Sequence, residues 1–113
     1  ADIMPGQPAA VTLMSDEIRN SEIAGQFLEQ HVRATEFIGS NPDETAGIVE
    51  DGIGMDRDLA RDALDGPLSN FVTDPVEIEN GVEIFSEFAH GNGQIDEELS
   101  LEQVFDYSVY NDL

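Results

Sequence analysis

Residues 20–42, NSEIAGQFLEQHVRATEFIGSNP, hold the clearest helical pattern in the chain. At about 100° per residue, Ile23, Ala24, Phe27, Leu28, Ala34, Phe37 and Ile38 fall on one half of the cylinder, and Glu22, Gln26, Glu29, Arg33 and Glu36 on the other. Asn20 has the side-chain oxygen of an N-cap, and Glu22 places a carboxylate at the positive end of the helix. Gly39 offers a C-terminal stop and Pro42 forbids simple continuation. Such a stripe needs a partner surface, because burying each large side chain is worth roughly 1.5–3 kcal/mol. The rest of the chain is therefore expected to pack around this helix.

Upstream, residues 1–8, ADIMPGQP, read as an extended linker on their two prolines and glycine. Residues 9–14, AAVTLM, form an unbroken apolar run with β-branched Val11 and Thr12, which suits a strand buried on both faces. Residues 15–19 suit a short turn or helix. Downstream, Asn41-Pro42-Asp43-Glu44 is a helix start, with a cap residue, Pro at the first helical position and two acids in the first turn. That second helix carries Ala46, Ile48 and Val49 and is expected to end at Gly52, with Gly47 inside it costing about 1 kcal/mol relative to Ala. Asp56 caps a third helix bearing Leu59, Ala60, Ala63 and Leu64, and Gly66-Pro67 stops it. Residues 68–73, LSNFVT, read as an extended segment or edge strand. Asp74-Pro75 opens the last long helix, striped by Ile78, Val82, Phe85 and Ala89, flanked by Gly81 and Phe88, and closed by Gly91. Ser100 caps a short final helix, LEQVFD, with Leu101, Val104 and Phe105 turned inward. The sequence thus divides into a lead-in over 1–8, one helical domain over 9–106 and a loose tail over 107–113.

Charge is the compositional outlier. Twenty-five Asp and Glu face four Arg (Arg19, Arg33, Arg57 and Arg61) and no Lys, for a formal charge of −21, while 40% of residues are apolar. With no basic patch to neutralise phosphate, nucleic acid is excluded as a partner. Self-repulsion of this size opposes the compact state, and molar salt, where the Debye length is about 3 Å, screens it. The acids are spread rather than blocked, so adaptation to a very salty medium is preferred over an acidic face made for one basic partner. Absence of Cys removes disulfide and thiolate chemistry. No apolar run approaches the ~20 residues that span a bilayer, and none reads as a signal peptide. The chain opens on Ala1 rather than Met, which points to processing or to excision from something longer.

Candidate chemistry is thin. Residues 90–98, HGNGQIDEE, look like the middle of an EF-hand loop, but with Gly93 as the turn glycine the first, third and twelfth ligand positions fall on Phe88, His90 and Leu99, none of them a carboxylate. A Gly-rich turn after a helix is the better reading. His31 lies in the apolar stripe of the main helix with no second His at i+4, so a core-edge histidine is preferred over a zinc ligand. Carboxylate pairs carry no information in so acidic a chain. There is no phosphate loop and no nucleophile elbow; the phenylalanines at helical spacing read as core. No enzyme activity, no catalytic residue, no metal and no cofactor is assigned.

Four segments together resemble a known family: VTLMSDEI, NSEIAGQFLEQHVRATEFIGSNPDETAGIV, LDGPLSNFVTDP and ENGVEIFSEFAHGNGQI. Their order is similar to the C-terminal part of solute-binding proteins of ABC importers, in the branch that handles nitrate, sulfonates such as taurine, and thiamine-precursor molecules. The most specific piece is AxxFLEQHVRATEFI followed by NPDE. The likeness covers roughly residues 4–105 here, but only about the last third of a family member. It implies a mainly α chain of four to five helices with one or two short strands, a fragment of an α/β two-lobed periplasmic-binding-protein-like fold. It also implies non-catalytic capture of a small solute outside the membrane and delivery to an ABC permease, with association to the membrane through the parent protein. Residues 9–14 would be the returning strand, and Gly6 and Gln7, near the hinge, would offer donors to the anion. Two other readings stand beside it: a stand-alone acidic module docking a basic protein, and a weak divalent-cation binder using residues 91–98.

Overall fold

A computed structural model describes residues 8–66 and 69–113. Among the described residues the chain is helical, with no strand. In order come α1 (Asp16–Arg19), α2 (Glu22–Ser40), α3 (Pro42–Ile53), α4 (Arg57–Asp65), a 3-10 turn (Pro75–Ile78), α5 (Glu79–Gly91), α6 (Leu101–Val104) and α7 (Ser108–Asn111). Only α2 to α5 exceed a single turn. The chain forms two compact units: one holds the residues up to Leu28 together with Asp74–Leu113, the other Glu29–Thr73. Helix α2 supplies its first seven residues to one and the remainder to the other.

In the unit Glu29–Thr73, α3 and α4 pack as a helical hairpin. Its punctuation is local and legible. Asp56 caps α4 by accepting from the N–H groups of Asp58 (3.0 Å) and Leu59 (3.2 Å). Helix α3 does not stop at Gly52. It runs to Ile53 and closes on Gly54, whose φ of +81° is left-handed and whose N–H donates to the Glu50 carbonyl at 2.9 Å. Thr45, Ala46 and Ala60 are the buried residues of the pair. The two glycines at this helix end make a paired prediction. A Cβ at either meets nothing within 4 Å, so only backbone preference acts. Gly52→Ala, inside the helix, should stabilise by about 0.5–1 kcal/mol. Gly54→Ala should destabilise by about 1–2 kcal/mol, the left-handed penalty of an L-residue. Urea melts of the two variants with opposite shifts check this; equal shifts would refute the assignment of the helix end.

In the other unit, α5 packs on the 3-10 turn and on α6. Asp74 caps the turn by accepting from the Val76 N–H at 3.0 Å, so Asp74-Pro75 opens a tighter helix that widens into α5 only at Glu79. The buried residues of α5 are Gly81, Ser86 and Ala89; of the expected stripe Ala89 is buried, Ile78 and Val82 are half-buried and Phe85 is exposed. Ser86 is buried and hydrogen-bonded: its Oγ accepts from the Leu99 N–H at 2.7 Å. The helix expected after Ser100 covers only Leu101–Val104, because Phe105 is extended (φ −109°, ψ 142°). Ser100 and Gln103 form the reciprocal capping box that a Ser three residues before a Gln allows. Leu101 and Phe105 are half-buried, while Val104 is exposed.

Several expectations are corrected. Asn20 closes α1 rather than opening α2, its amide donating to the Asp16 carbonyl at 2.9 Å. Gly39 lies inside α2, which ends at Ser40 ahead of Asn41-Pro42, where the pre-proline residue is disfavoured in helix. Asn41 offers no side-chain cap. Residues 9–14 belong to no helix or strand, with Val11 62% and Leu13 90% exposed, because a strand needs a partner ladder and none is present among the described residues. The edge strand expected over 68–73 is absent from residues 69–73, and residue 68 lies outside the described residues. On α2 the covered seam is Ala24, which is buried, with Gly25, Leu28, His31, Val32, Thr35 and Ile38 half-buried. Ile23, Phe27, Ala34 and Phe37 flank it and are exposed. The residues after 106 are not a loose tail: α7 forms there, and Tyr107 donates its hydroxyl to Glu79 at 2.8 Å.

Candidate functional site

The expected ligand contacts Gly6 and Gln7 lie outside the described residues. What the structure does place is the small set of arginines, on which any anion site in so acidic a chain would depend. Arg19 ends α1 and reaches Asp16 (2.9 Å) and Asp106 (3.0 Å). Arg61, on α4, reaches Asp43 at the start of α3 (2.8 Å) and Asp65 one turn on (2.6 Å), and these carboxylates hold its pKa above the ordinary arginine value. Arg57 donates from its guanidinium to the Asp43 carbonyl (3.2 Å), and its N–H donates to Glu50 (2.9 Å). A Cβ at Gly47 would stand at ordinary van der Waals distance from the Arg57 guanidinium, so close packing does not require glycine there. Arg33 donates to Gln30 at 3.4 Å. Three of the four arginines are therefore tied to carboxylates or a carbonyl of their own unit.

Each unit carries a surface depression. In the first, of about 280 Å³, Arg19 is joined by Ser21, Glu22, Ser108 and Asp112. The guanidinium there is already met by two carboxylates and two more acids line the wall, so the recess repels an anion. In the second, of about 290 Å³, Ile38, Leu64 and Phe71 surround Asp65, Ser69 and Thr35. Both fall just below the roughly 300–1,000 Å³ of small-molecule sites, and neither gathers convergent polar groups on an enclosed apolar wall.

The turn after α5 keeps its left-handed glycine, Gly93 at φ +74°, with His90 exposed at the end of the helix. Among the described residues no group of three or more His, Asp or Glu converges so as to hold a metal ion. His31 is half-buried on α2.

The best-built polar cluster escapes a reading of the sequence for chemistry. Asp106 accepts from the Ser108 hydroxyl, from the Ser108 N–H at 2.9 Å and from Arg19. Those donors, the Ser108 hydroxyl foremost, hold its carboxyl below the usual range. The Asp-x-Ser spacing of 106–108 is the signal that could have found it. Next to it, partial burial and the Glu79 carboxylate push the Tyr107 hydroxyl up to about 12. A group whose folded pKa is raised contributes stability that is complete below its unfolded value, about 10, and lost as pH climbs through 12. Between those limits Tyr107→Phe should flatten the alkaline fall in melting temperature. A phenolate absorbance titration that shows every tyrosine ionised by about pH 10.5 would refute the contact.

Among the described residues no helix is long and apolar enough to cross a membrane. Comparison with family models, with curated proteins and with solved structures finds no match to this chain.

Proposed function

We propose that this chain is the C-terminal segment of an extracytoplasmic solute-binding protein of an ABC importer, of the nitrate, sulfonate and taurine class, working at high salt. The observation that carries the reading is apolar surface left open among the described residues: residues 9–14 form no ladder there, with Val11 and Leu13 exposed, and Ile23 is 55% exposed on the flank of α2. In a two-lobed protein these positions meet a sheet and a neighbouring lobe. Side chains uncovered here then become contact surface, and the extended run finds the ladder it lacks.

The test uses the full reading frame that encodes this chain, produced in molar potassium chloride. Nitrate, taurine and an alkanesulfonate are titrated by calorimetry and thermal shift. Binding of at least one by the parent protein, with none by the 113-residue chain, is the expected result. A parent protein indifferent to all three overturns the solute class; a gene without permease and ATPase neighbours and with no second lobe overturns the transport role.

A further inference from the structure

Six asparagines occur in the sequence, and the residue next in the chain governs the chemical fate of each. Asn41 precedes proline, which has no N–H. Asn20, Asn70 and Asn111 precede Ser, Phe and Asp, whose side chains crowd the next amide. Asn80 and Asn92 alone precede glycine. The fold treats these two differently. Asn80 is the second residue of α5, and Gly81 after it is buried. Helical dihedrals direct the Gly81 N–H along the axis, away from the Asn80 side chain. Asn92 lies just past the end of α5, exposed, and Gly93 is exposed with φ +74° and open space where a Cβ would stand. The Gly93 N–H is held by one turn bond, to the His90 carbonyl at 3.0 Å.

We propose that Asn92–Gly93 is a spontaneous modification site, at which the side-chain amide converts to a carboxylate without an enzyme. The Gly93 backbone nitrogen, losing its proton to solvent base, attacks Cγ of Asn92. The Cγ–Nδ2 bond breaks and ammonia leaves, closing a five-membered cyclic imide. Water then opens the imide at one of its two carbonyls, giving aspartate or, where the main chain is rerouted through Cβ, isoaspartate. Each product adds one negative charge at the C-terminal end of α5, the end that disfavours it. Isoaspartate also lengthens the main chain between two bonds that close this helix, Asn92 N–H to the Phe88 carbonyl (3.0 Å) and Gln94 N–H to the Ala89 carbonyl (2.9 Å). Ala89 is among the buried residues of α5, so the modification loosens a packed end. Asp65–Gly66, an acid–glycine pair at the end of α4, is held back because its carboxylate pairs with Arg61.

The test is ageing of the folded chain in molar potassium chloride at mildly alkaline pH, beside Asn92→Gln and beside the chain unfolded in urea. Peptide mapping by mass spectrometry locates the amide-to-acid increment, and isoaspartate is quantified by enzymatic methylation. In the folded chain Asn92 should convert several-fold ahead of Asn80, as a doublet of aspartate and isoaspartate peptides. Asn92→Gln should remain unmodified over the same period. In urea both Asn–Gly pairs should convert at one rate, since the fold no longer shields Asn80. Conversion of Asn80 as fast as Asn92 in the folded chain overturns the proposal, as does an Asn92 that stays intact when folded yet converts in urea.

Discussion

Lowering potassium chloride from molar to millimolar should unfold this chain. Twenty-five acidic residues face four arginines, and the ion pairs formed among the described residues engage Asp16, Asp43, Asp65 and Asp106. Four arginines are too few for 25 acids, so most carboxylates have no arginine to offset them. Opposing their repulsion is a small interior: the buried apolar residues are Ala24, Ala46, Ala60 and Ala89, and among the described residues no large side chain is fully enclosed. The Debye length grows from about 3 Å at 1 M to about 30 Å at 0.01 M, so carboxylates screened from one another at high salt repel across the whole chain at low salt. Net stability of a small domain is only about 5–15 kcal/mol, and a chain with so little enclosed apolar volume belongs at the low end. Far-UV circular dichroism at stepped salt should show helix lost as the concentration falls and regained when it is restored. A melting temperature flat from about 1 M to about 0.01 M would contradict the charge argument outright.

The second large effect concerns the smallest side chains. Ala46 on α3 has no exposed surface, while Ile48, two residues on, is 60% exposed. Ordinary expectation ranks the isoleucine as core and the alanine as filler. The packing of α3 on α4 inverts that: Ala46 and Ala60 are the buried apolar residues of the pair. Ala46→Leu forces extra methylenes into a closed seam and should cost about 1–3 kcal/mol. Ile48→Ala removes exposed surface and should change stability by no more than about 0.5 kcal/mol. Urea midpoints measured in molar salt compare the two. If Ile48→Ala is the more damaging, the seam between α3 and α4 is wrong.

The functional reading leans on the same inversion. A chain whose phenylalanines and isoleucines lie largely outside, and whose interior is alanine, serine and glycine, has apolar surface left over for contact. Arg19, Arg57 and Arg61 are held within their own units by carboxylates or a carbonyl.

Local chemistry was readable from the residues. The Asp56 cap, the stop at Gly66, the helix opening at Asp74-Pro75 and the Ser100–Gln103 capping box each depend on groups within four positions of one another, so sequence alone determined them. The same holds for the charge, the absence of thiol chemistry and the mainly helical class. Which face of each helix is covered was decided only by tertiary packing: on α2 and α5 an apolar arc wider than the contact seam left several positions eligible, and on α5 the buried ones are the small Gly81, Ser86 and Ala89. The fate of residues 9–14 was likewise tertiary, since a strand exists only as half of a ladder, and its other half is not written in its own side chains. Arg19–Asp106 and Tyr107–Glu79 join residues 87 and 28 positions apart, and no local pattern marks a pair at such separation. Only the folded path of the backbone brings them within hydrogen-bond reach.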